Sequence, residues 1–146
     1  MKKLIKSFSI CFIIIAMMST TAFAAAPNDP ADPQSNSYVW KTTVGIAPLG
    51  SGKIEVDFSV TAMGKMTDVG AIHVQIFNSS GKCVKIYTYT DPGYSYMMGH
   101  NNSTHTASVF YKGVSGQRYY AIVSFYAGTL KGAGGGDSLT STIITA

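Results

Sequence analysis

Alternation of apolar and polar side chains is the dominant pattern in this chain. In its clearest stretch, Lys53–Ala62, an apolar residue at every second position alternates with a charged or hydroxylated one. This period of two predicts a β-strand with one buried face and one solvent-exposed face. Ala71–Phe77 repeats the pattern, and the turn sequence Asn78–Gly81 leads from it into Lys82–Tyr89. The sequence therefore predicts a β-hairpin here.

Four further segments have the same character. They are Tyr38–Ile46, Thr104–Lys112, Arg118–Ala127 and, after a glycine cluster, Leu139–Thr145. The chain then has about seven strands with turn signals roughly every 8–12 residues, a spacing typical of β-sandwiches. No helical period of useful length occurs. We therefore predict an all-β fold, a single antiparallel β-sandwich of about seven strands.

The N-terminus has the three-part layout of a secretory signal peptide. Three lysines precede the apolar run Ile10–Met18, and Ala22-Phe23-Ala24 supplies a cleavage site. The run is shorter than the roughly 20 residues that cross a bilayer in a helix. We predict a signal peptide at 1–24, a flexible leader rich in Pro, Asp and Asn at 25–37, and the sandwich domain at 38–146. The protein is then secreted and extracellular, with no membrane span after cleavage.

Removal of the signal peptide changes the picture of charge and cysteine content. The full chain has a formal net charge of +4, but the three N-terminal lysines leave with the signal, so the mature chain is near neutral. The sequence gives no support for a nucleic-acid partner. Cys83 is the one cysteine after the signal, which excludes an intramolecular disulfide. We expect a monomer, with a disulfide-linked dimer through Cys83 as the alternative.

Two resemblances follow from particular residues. Gly116–Val123, in which Tyr119 leads an alternating run, resembles the penultimate strand of immunoglobulin-like and fibronectin-type domains, where a tyrosine bonds the preceding corner. The stretch from about Gly52 to Ala146 resembles an uncharacterised family of small secreted Gram-positive bacterial proteins. The residues that carry this second resemblance are Met97-Met98-Gly99, His105, Tyr111-x-Gly113, Gly116, Tyr119-Tyr120-Ala121 and Phe125-Tyr126-Ala127. It implies an immunoglobulin-like sandwich and an extracellular location, and it implies no catalytic residues.

The candidates for catalysis have simpler interpretations. Glu55 and Asp57 lie side by side on the polar face of one strand, whereas glycoside hydrolysis usually needs two carboxylates that face each other across the substrate. Cys83 has lysines nearby that would lower a thiol pKa, but no nucleophile signature surrounds it. We interpret the acids as solvated surface and Cys83 as a buried or half-buried small hydrophobe. We therefore expect a protein that is not an enzyme.

A metal site is the weaker interpretation of the histidines. His100 and His105 are five residues apart with Asp91 upstream, and His73 would join them only through the fold. Zinc and calcium sites need about four or more converging donors, and this spacing is not a ligand motif. We expect surface or sheet-facing histidines, no metal and no cofactor.

The segment Thr90–Asn102 is predicted as a long loop, and long loops in compact domains are often functional. It carries Tyr94 and Tyr96, and the preceding strand offers Tyr87 and Tyr89. If these four tyrosines share an exposed face, they form a binding platform, since tyrosine joins a rigid apolar ring to a polar tip. The alternative is that the loop folds back, and for Met97 and Met98 we favour this plug of the sandwich.

These observations predict a non-catalytic secreted binding module. Its ligand is a cell-wall or environmental glycan, or a surface protein, bound through the tyrosine platform. The alternative function is a secreted effector or inhibitor that acts through protein contacts. A small hydrolase or metal-dependent enzyme is a third class, which the poor supply of carboxylates disfavours.

Overall fold

The computed structural model describes residues 38–146, and these form an all-β fold of seven antiparallel strands. The predicted signal peptide and leader lie outside the described residues. The strands are β1 (Val39–Gly50), β2 (Lys53–Asn78), β3 (Cys83–Thr88), β4 (Met98–Lys112), β5 (Arg118–Gly128), β6 (Gly134–Thr140) and β7 (Ile144–Thr145), with a 3-10 turn at Ser95–Met97. The predicted all-β class with about seven antiparallel strands is confirmed, although the predicted last strand, Leu139–Thr145, is divided between β6 and β7. The predicted sandwich is not confirmed, because all seven strands belong to one sheet. Within residues 38–146, no helix has the length and apolar character that crossing a membrane requires.

β2 is the central strand of the fold. Its first half pairs with β1 and β4, and its second half pairs with β3 and β5, so that one curled sheet contains all seven strands. The prediction of two separate strands, Lys53–Ala62 and Ala71–Phe77, is therefore wrong. Residues 63–70 lack a clean alternation, but their backbone pairs with the start of β4 and the end of β5 from Met66 onward. Long-range pairing holds this segment in the sheet despite its weak local pattern.

The core lies where the sheet curls over itself. The rings of Phe58 on β2 and Phe125 on β5 meet edge to face, with centroids 6.2 Å apart. On β5, and on β2 over Lys53–Ala62, every second side chain is buried, as the alternation predicted. The largest fully buried side chains are Ile54, Val56, Phe58, Val60, Val69, Val74, Ile76, Met97, Val109, Tyr119, Val123 and Phe125.

The hairpin predicted around Asn78–Gly81 is confirmed by the β2–β3 ladder. The Asn78 side-chain oxygen accepts hydrogen bonds from the backbone N–H groups of Ser80 and Lys82, at 3.1 and 3.0 Å. Gly81 has a φ of 76°, a left-handed conformation that glycine adopts without steric cost. Asparagine side chains stabilise turns through such bonds to the following backbone.

A buried tyrosine closes the corner before β5. Tyr119 is 2% exposed, and its hydroxyl accepts a hydrogen bond from the Val114 backbone N–H at 2.9 Å. The ring lies against Gly113, where an added Cβ would be 2.7 Å from the hydroxyl oxygen. The bond to the preceding corner that the immunoglobulin-like resemblance implied for Tyr119 is therefore present.

Two predicted loops are partly strand. Of Thr90–Asn102, only the first residues form turns, and Met98–Asn102 belongs to β4 because it pairs with Met66–Gly70 of β2. The C-terminal strand begins earlier than predicted, since Gly134–Gly136 of the glycine cluster pairs with the end of β5. The Tyr126 ring covers Gly134 so closely that a Cβ there would clash with it. Glycine serves close packing at this position rather than a loop.

Candidate functional site

Three of the four predicted tyrosines form one aromatic cluster. The ring centroid of Tyr94 lies 4.9 Å from that of Tyr87 and 6.1 Å from that of Tyr96. Tyr89 is half-buried and packs against the core, and within residues 38–146 it makes no ring pair with the other three. The structure therefore joins Tyr87, Tyr94 and Tyr96 and leaves Tyr89 apart.

A tight turn positions this cluster. The Asp91 carboxylate accepts a hydrogen bond from the Thr88 backbone N–H at 3.1 Å, and the Asp91 carbonyl accepts one from the Tyr94 N–H at 3.0 Å. The 3-10 turn follows, in which the Met97 N–H donates to the Tyr94 carbonyl at 3.0 Å. Aspartate is common in turns because its side chain bonds nearby backbone groups. Asp91 thus holds β3 and the tyrosine segment in a fixed relation.

The two methionines after the tyrosines are core residues. Met97 is fully buried and Met98 is 3% exposed, so the predicted burial of both residues is confirmed. The backbone of β2 approaches them closely at Gly70, where a Cβ would be 2.7 Å from the Met98 Cα. Burial of the methionines fixes the end of the tyrosine segment against the sheet.

Tyr87 is the buried member of the cluster. It is 4% exposed, and its hydroxyl donates a hydrogen bond to the Phe110 carbonyl oxygen at 2.7 Å. Burial, followed by the neighbouring Tyr94, Tyr111 and Tyr96 hydroxyls, raises the pKa of Tyr87 to about 12. Tyr87 therefore supports the other rings from below and does not present its own face to solvent.

Tyr96 is the exposed member, with 45% of its surface accessible. Its hydroxyl donates to the Ser108 carbonyl at 3.1 Å, and its own carbonyl accepts a hydrogen bond from His105 Nε2 at 2.7 Å. Partial burial and then the nearby Tyr94 raise the pKa of Tyr96 above its usual value. Ser108 and Phe110 are two residues apart, so their carbonyls point to the same side of β4. Two tyrosine hydroxyls thus cover the side of β4 away from β2.

A small cavity opens where β4 ends. Its volume is about 260 Å³, and it is lined by Leu49, Lys53, Phe110, Tyr111 and Lys112. Phe110 is 59% exposed and lies on the same strand as the carbonyls that the tyrosines bond. We therefore refer to Tyr94, Tyr96 and Phe110 together as the aromatic edge.

Sequence reasoning missed the cavity and its residues. In the alternating pattern of β4, Phe110 falls on the polar side together with Thr106 and Ser108. A large aromatic residue on a solvent-exposed face is the informative exception to such a pattern. The exposed Phe110 was therefore the signal in the sequence that could have indicated the cavity. The position of Leu49 in the cavity wall depends on the tertiary fold and had no such signal.

The histidines are held in separate places. His100 Nδ1 lies 2.8 Å from a carboxylate oxygen of Asp68, whose other oxygen accepts a hydrogen bond from the Leu130 N–H at 3.0 Å. His73 shares a hydrogen bond of 3.2 Å with the Thr88 hydroxyl. No group of three or more His, Cys, Asp or Glu side chains that could hold a metal ion occurs within residues 38–146. Asp68 is a nearly buried polar residue that no sequence pattern singled out.

The two acids considered in the sequence border the aromatic edge, since Glu55 is the cross-strand partner of Phe110. Glu55 and Asp57 lie on the outer face of β2, opposite Phe110 and Ser108 of β4 respectively. Asp57 folds over Gly45 of β1, where an added Cβ would clash with its carboxylate. Cys83 is half-buried and in no disulfide, and its Sγ lies 3.6 Å from the Lys85 carbonyl oxygen.

The chain matches no protein-family model and no curated protein sequence.

Proposed function

We propose that this protein is a non-catalytic, secreted binding module that recognises a glycan on the aromatic edge. The observation that carries the proposal is the pair of hydrogen bonds from Tyr87 and Tyr96 to consecutive same-side carbonyls of β4. These bonds hold the rings in place without a ligand. A fixed aromatic surface suits the apolar faces of sugar rings, and its order in the free protein lowers the entropic cost of binding.

The proposed lack of catalysis rests on the positions of the acids and the cysteine. Glu55 and Asp57 project from one strand two residues apart, so they do not flank a substrate from opposite sides. Cys83 contacts the Lys85 backbone and no imidazole within the described residues. The aromatic edge offers ring faces, which suit recognition.

We also propose that the curled sheet is a variant of the immunoglobulin-like sandwich in which β2 runs through both layers. The packing of Phe58 on Phe125 and the Tyr119 corner support this relation. We further propose that the protein belongs to the small secreted Gram-positive family and is extracellular, and the sequence supports this proposal through the N-terminal pattern and the residues that carry the resemblance.

The experiment measures depletion of the purified protein, residues 25–146, from solution by peptidoglycan and by other insoluble glycans. We expect depletion by at least one glycan and loss of it in a Tyr94→Ala/Tyr96→Ala variant. Ile143→Ala removes an exposed apolar side chain elsewhere and serves as the control. Circular dichroism establishes that each variant is folded. Tyr96→Ala alone is a second variant, which keeps the half-buried Tyr94 and serves if the double variant does not fold. If no glycan depletes the protein, the glycan proposal is wrong.

A second candidate function is binding of a protein partner, as an effector or inhibitor. Trp40 is 70% exposed and Met63 is 66% exposed, and they flank the Val39–Ala62 pair that ends the β1–β2 ladder. Exposed tryptophan and methionine are characteristic of protein interfaces. A Trp40→Ala variant that still binds glycan but loses activity toward a target cell would favour this function.

A further inference from the structure

Two lysines face each other at the cavity beside the aromatic edge. Lys53 of β2 is the direct cross-strand partner of Lys112 of β4, and both line the cavity. Like charges directly opposite each other destabilise a sheet. Within residues 38–146, neither lysine forms an ion pair, and Glu55 on the same face lies opposite Phe110 instead. Lys112 Nζ also donates a hydrogen bond to the Ser51 carbonyl oxygen in the β1–β2 turn. The residues that line the cavity therefore include two cations and no acid, while Glu55 lies two positions from Lys53 on the same face.

The other walls of the cavity are apolar and aromatic. Leu49, Phe110 and Tyr111 supply them, and the volume is about 260 Å³. Pockets for drug-sized ligands usually occupy roughly 300–1,000 Å³, so this cavity suits a single ring of a longer ligand. The Phe110 ring, which is 59% exposed, provides a face on which such a ring can lie.

An extended peptide is a poorer occupant of this region. A peptide that adds to a sheet edge needs free backbone carbonyls and N–H groups along that edge. The carbonyls of Ser108 and Phe110 are already bonded by the hydroxyls of Tyr96 and Tyr87. These hydroxyls oppose strand addition next to the cavity and leave the side-chain surface as the means of recognition.

We propose that the cavity binds one carboxylated sugar residue of an acidic polysaccharide. The sugar carboxylate lies between the ammonium groups of Lys53 and Lys112, and the sugar ring lies on Phe110. Hydrogen bonds between ammonium and carboxylate are charge-assisted and stronger than neutral ones. The inference rests on the proposed glycan binding and names its substrate class, a polymer that contains uronic acid.

The test is isothermal titration calorimetry with trigalacturonate as the probe and its fully methyl-esterified form as the neutral match. We expect the methyl ester to bind about tenfold more weakly, since it lacks the charge-assisted bonds. A Lys53→Gln/Lys112→Gln variant should lose a similar factor for trigalacturonate and nothing for the ester. The control, Lys41→Gln/Lys131→Gln, makes the same change in net charge at exposed positions that do not line the cavity.

If the two lysines instead stabilised the fold, their replacement would lower the melting temperature, since the hydrogen bond from Lys112 Nζ to the Ser51 carbonyl would be lost. A role in binding predicts the opposite. Their removal should leave the melting temperature unchanged or raise it, because a like-charge pair is relieved. Equal binding of the acid and the ester, or equal losses in both lysine variants, would overturn the inference. Glycan depletion that depends on Tyr96 would then still support the proposed function. Tight binding of hexaglutamate with the same lysine dependence would also overturn the inference, in favour of an acidic peptide.

Discussion

The hydroxyl of Tyr119 allows a clean test of the corner that closes the fold. Replacement by phenylalanine keeps the buried ring and removes the acceptor of the Val114 N–H, which lies 2.9 Å from the hydroxyl oxygen. A net hydrogen bond contributes about 0.5–1.5 kcal/mol, and a buried donor left without a partner costs ~1–3 kcal/mol. The Val114 N–H is only partly buried, so we expect Tyr119→Phe to lower the free energy of unfolding by about 1–2 kcal/mol.

Urea unfolding followed by circular dichroism measures this difference, provided that the slope of the transition is the same in both proteins. Tyr120→Phe is the matched control, because Tyr120 stacks on Phe77 and its hydroxyl makes no hydrogen bond to another described residue. We expect the control to stay within about 0.5 kcal/mol of the wild type, as is usual away from such contacts. Equal stabilities of the two variants would refute the role assigned to the Tyr119 hydroxyl.

Three other predictions concern buried polar and close-packed positions. Asp68→Asn should cost about 1–3 kcal/mol in urea unfolding, because the carboxylate that joins β2, β4 and the β5–β6 connection is lost; no change would show that these bonds are dispensable. The Tyr87 hydroxyl contributes stability that is complete below pH 10 and is lost as the pH rises through its folded pKa of about 12. Tyr87→Phe should therefore flatten the fall in stability between these pH values, and an unchanged profile would contradict this. Gly70→Ala should destabilise the fold by about 1–3 kcal/mol through a clash with the backbone of Met97 and Met98, whereas Gly64→Ala, where nothing lies within 4 Å, should be tolerated in the same thermal melt.

Sequence patterns predicted the strands correctly where the side chains of a segment alternate regularly between the core and solvent. Lys53–Ala62 has one face on the core and one in solvent, so its alternation reported the strand directly. The sequence also predicted the hairpin after Phe77. The hydrogen bonds of the Asn78 side chain and the left-handed conformation of Gly81 involve only residues of the turn. The expected hydrogen bond between Tyr119 and the preceding corner came from the immunoglobulin-like resemblance. It is present as the bond from the Val114 N–H to the Tyr119 hydroxyl.

Long-range contacts decided the parts that the sequence left open. Met98–Asn102 has no strand pattern and is held in β4 by its pairing with β2. The four tyrosines were equivalent in the sequence, yet Tyr87 is buried and Tyr96 is exposed, because only Tyr87 lies on the inward face of β3 against the core. Lys53 and Lys112 are far apart in the chain, so their pairing at one cavity depends on a register that no local pattern specifies.

The binding surface and the closure of the fold depend on the same hydroxyl groups. β3 and β4 share no ladder within the described residues, since each pairs with β2. The Tyr87 hydroxyl joins them directly through the Phe110 carbonyl, and the Tyr96 hydroxyl adds a second bond to β4 at Ser108. Because these bonds bind the tyrosine segment to the strand that carries Phe110, the aromatic edge is ordered by contacts that also protect an open edge of the sheet. A site of this kind gains its rigidity from the fold itself, and the buried Tyr87 acts on recognition only by positioning the exposed rings.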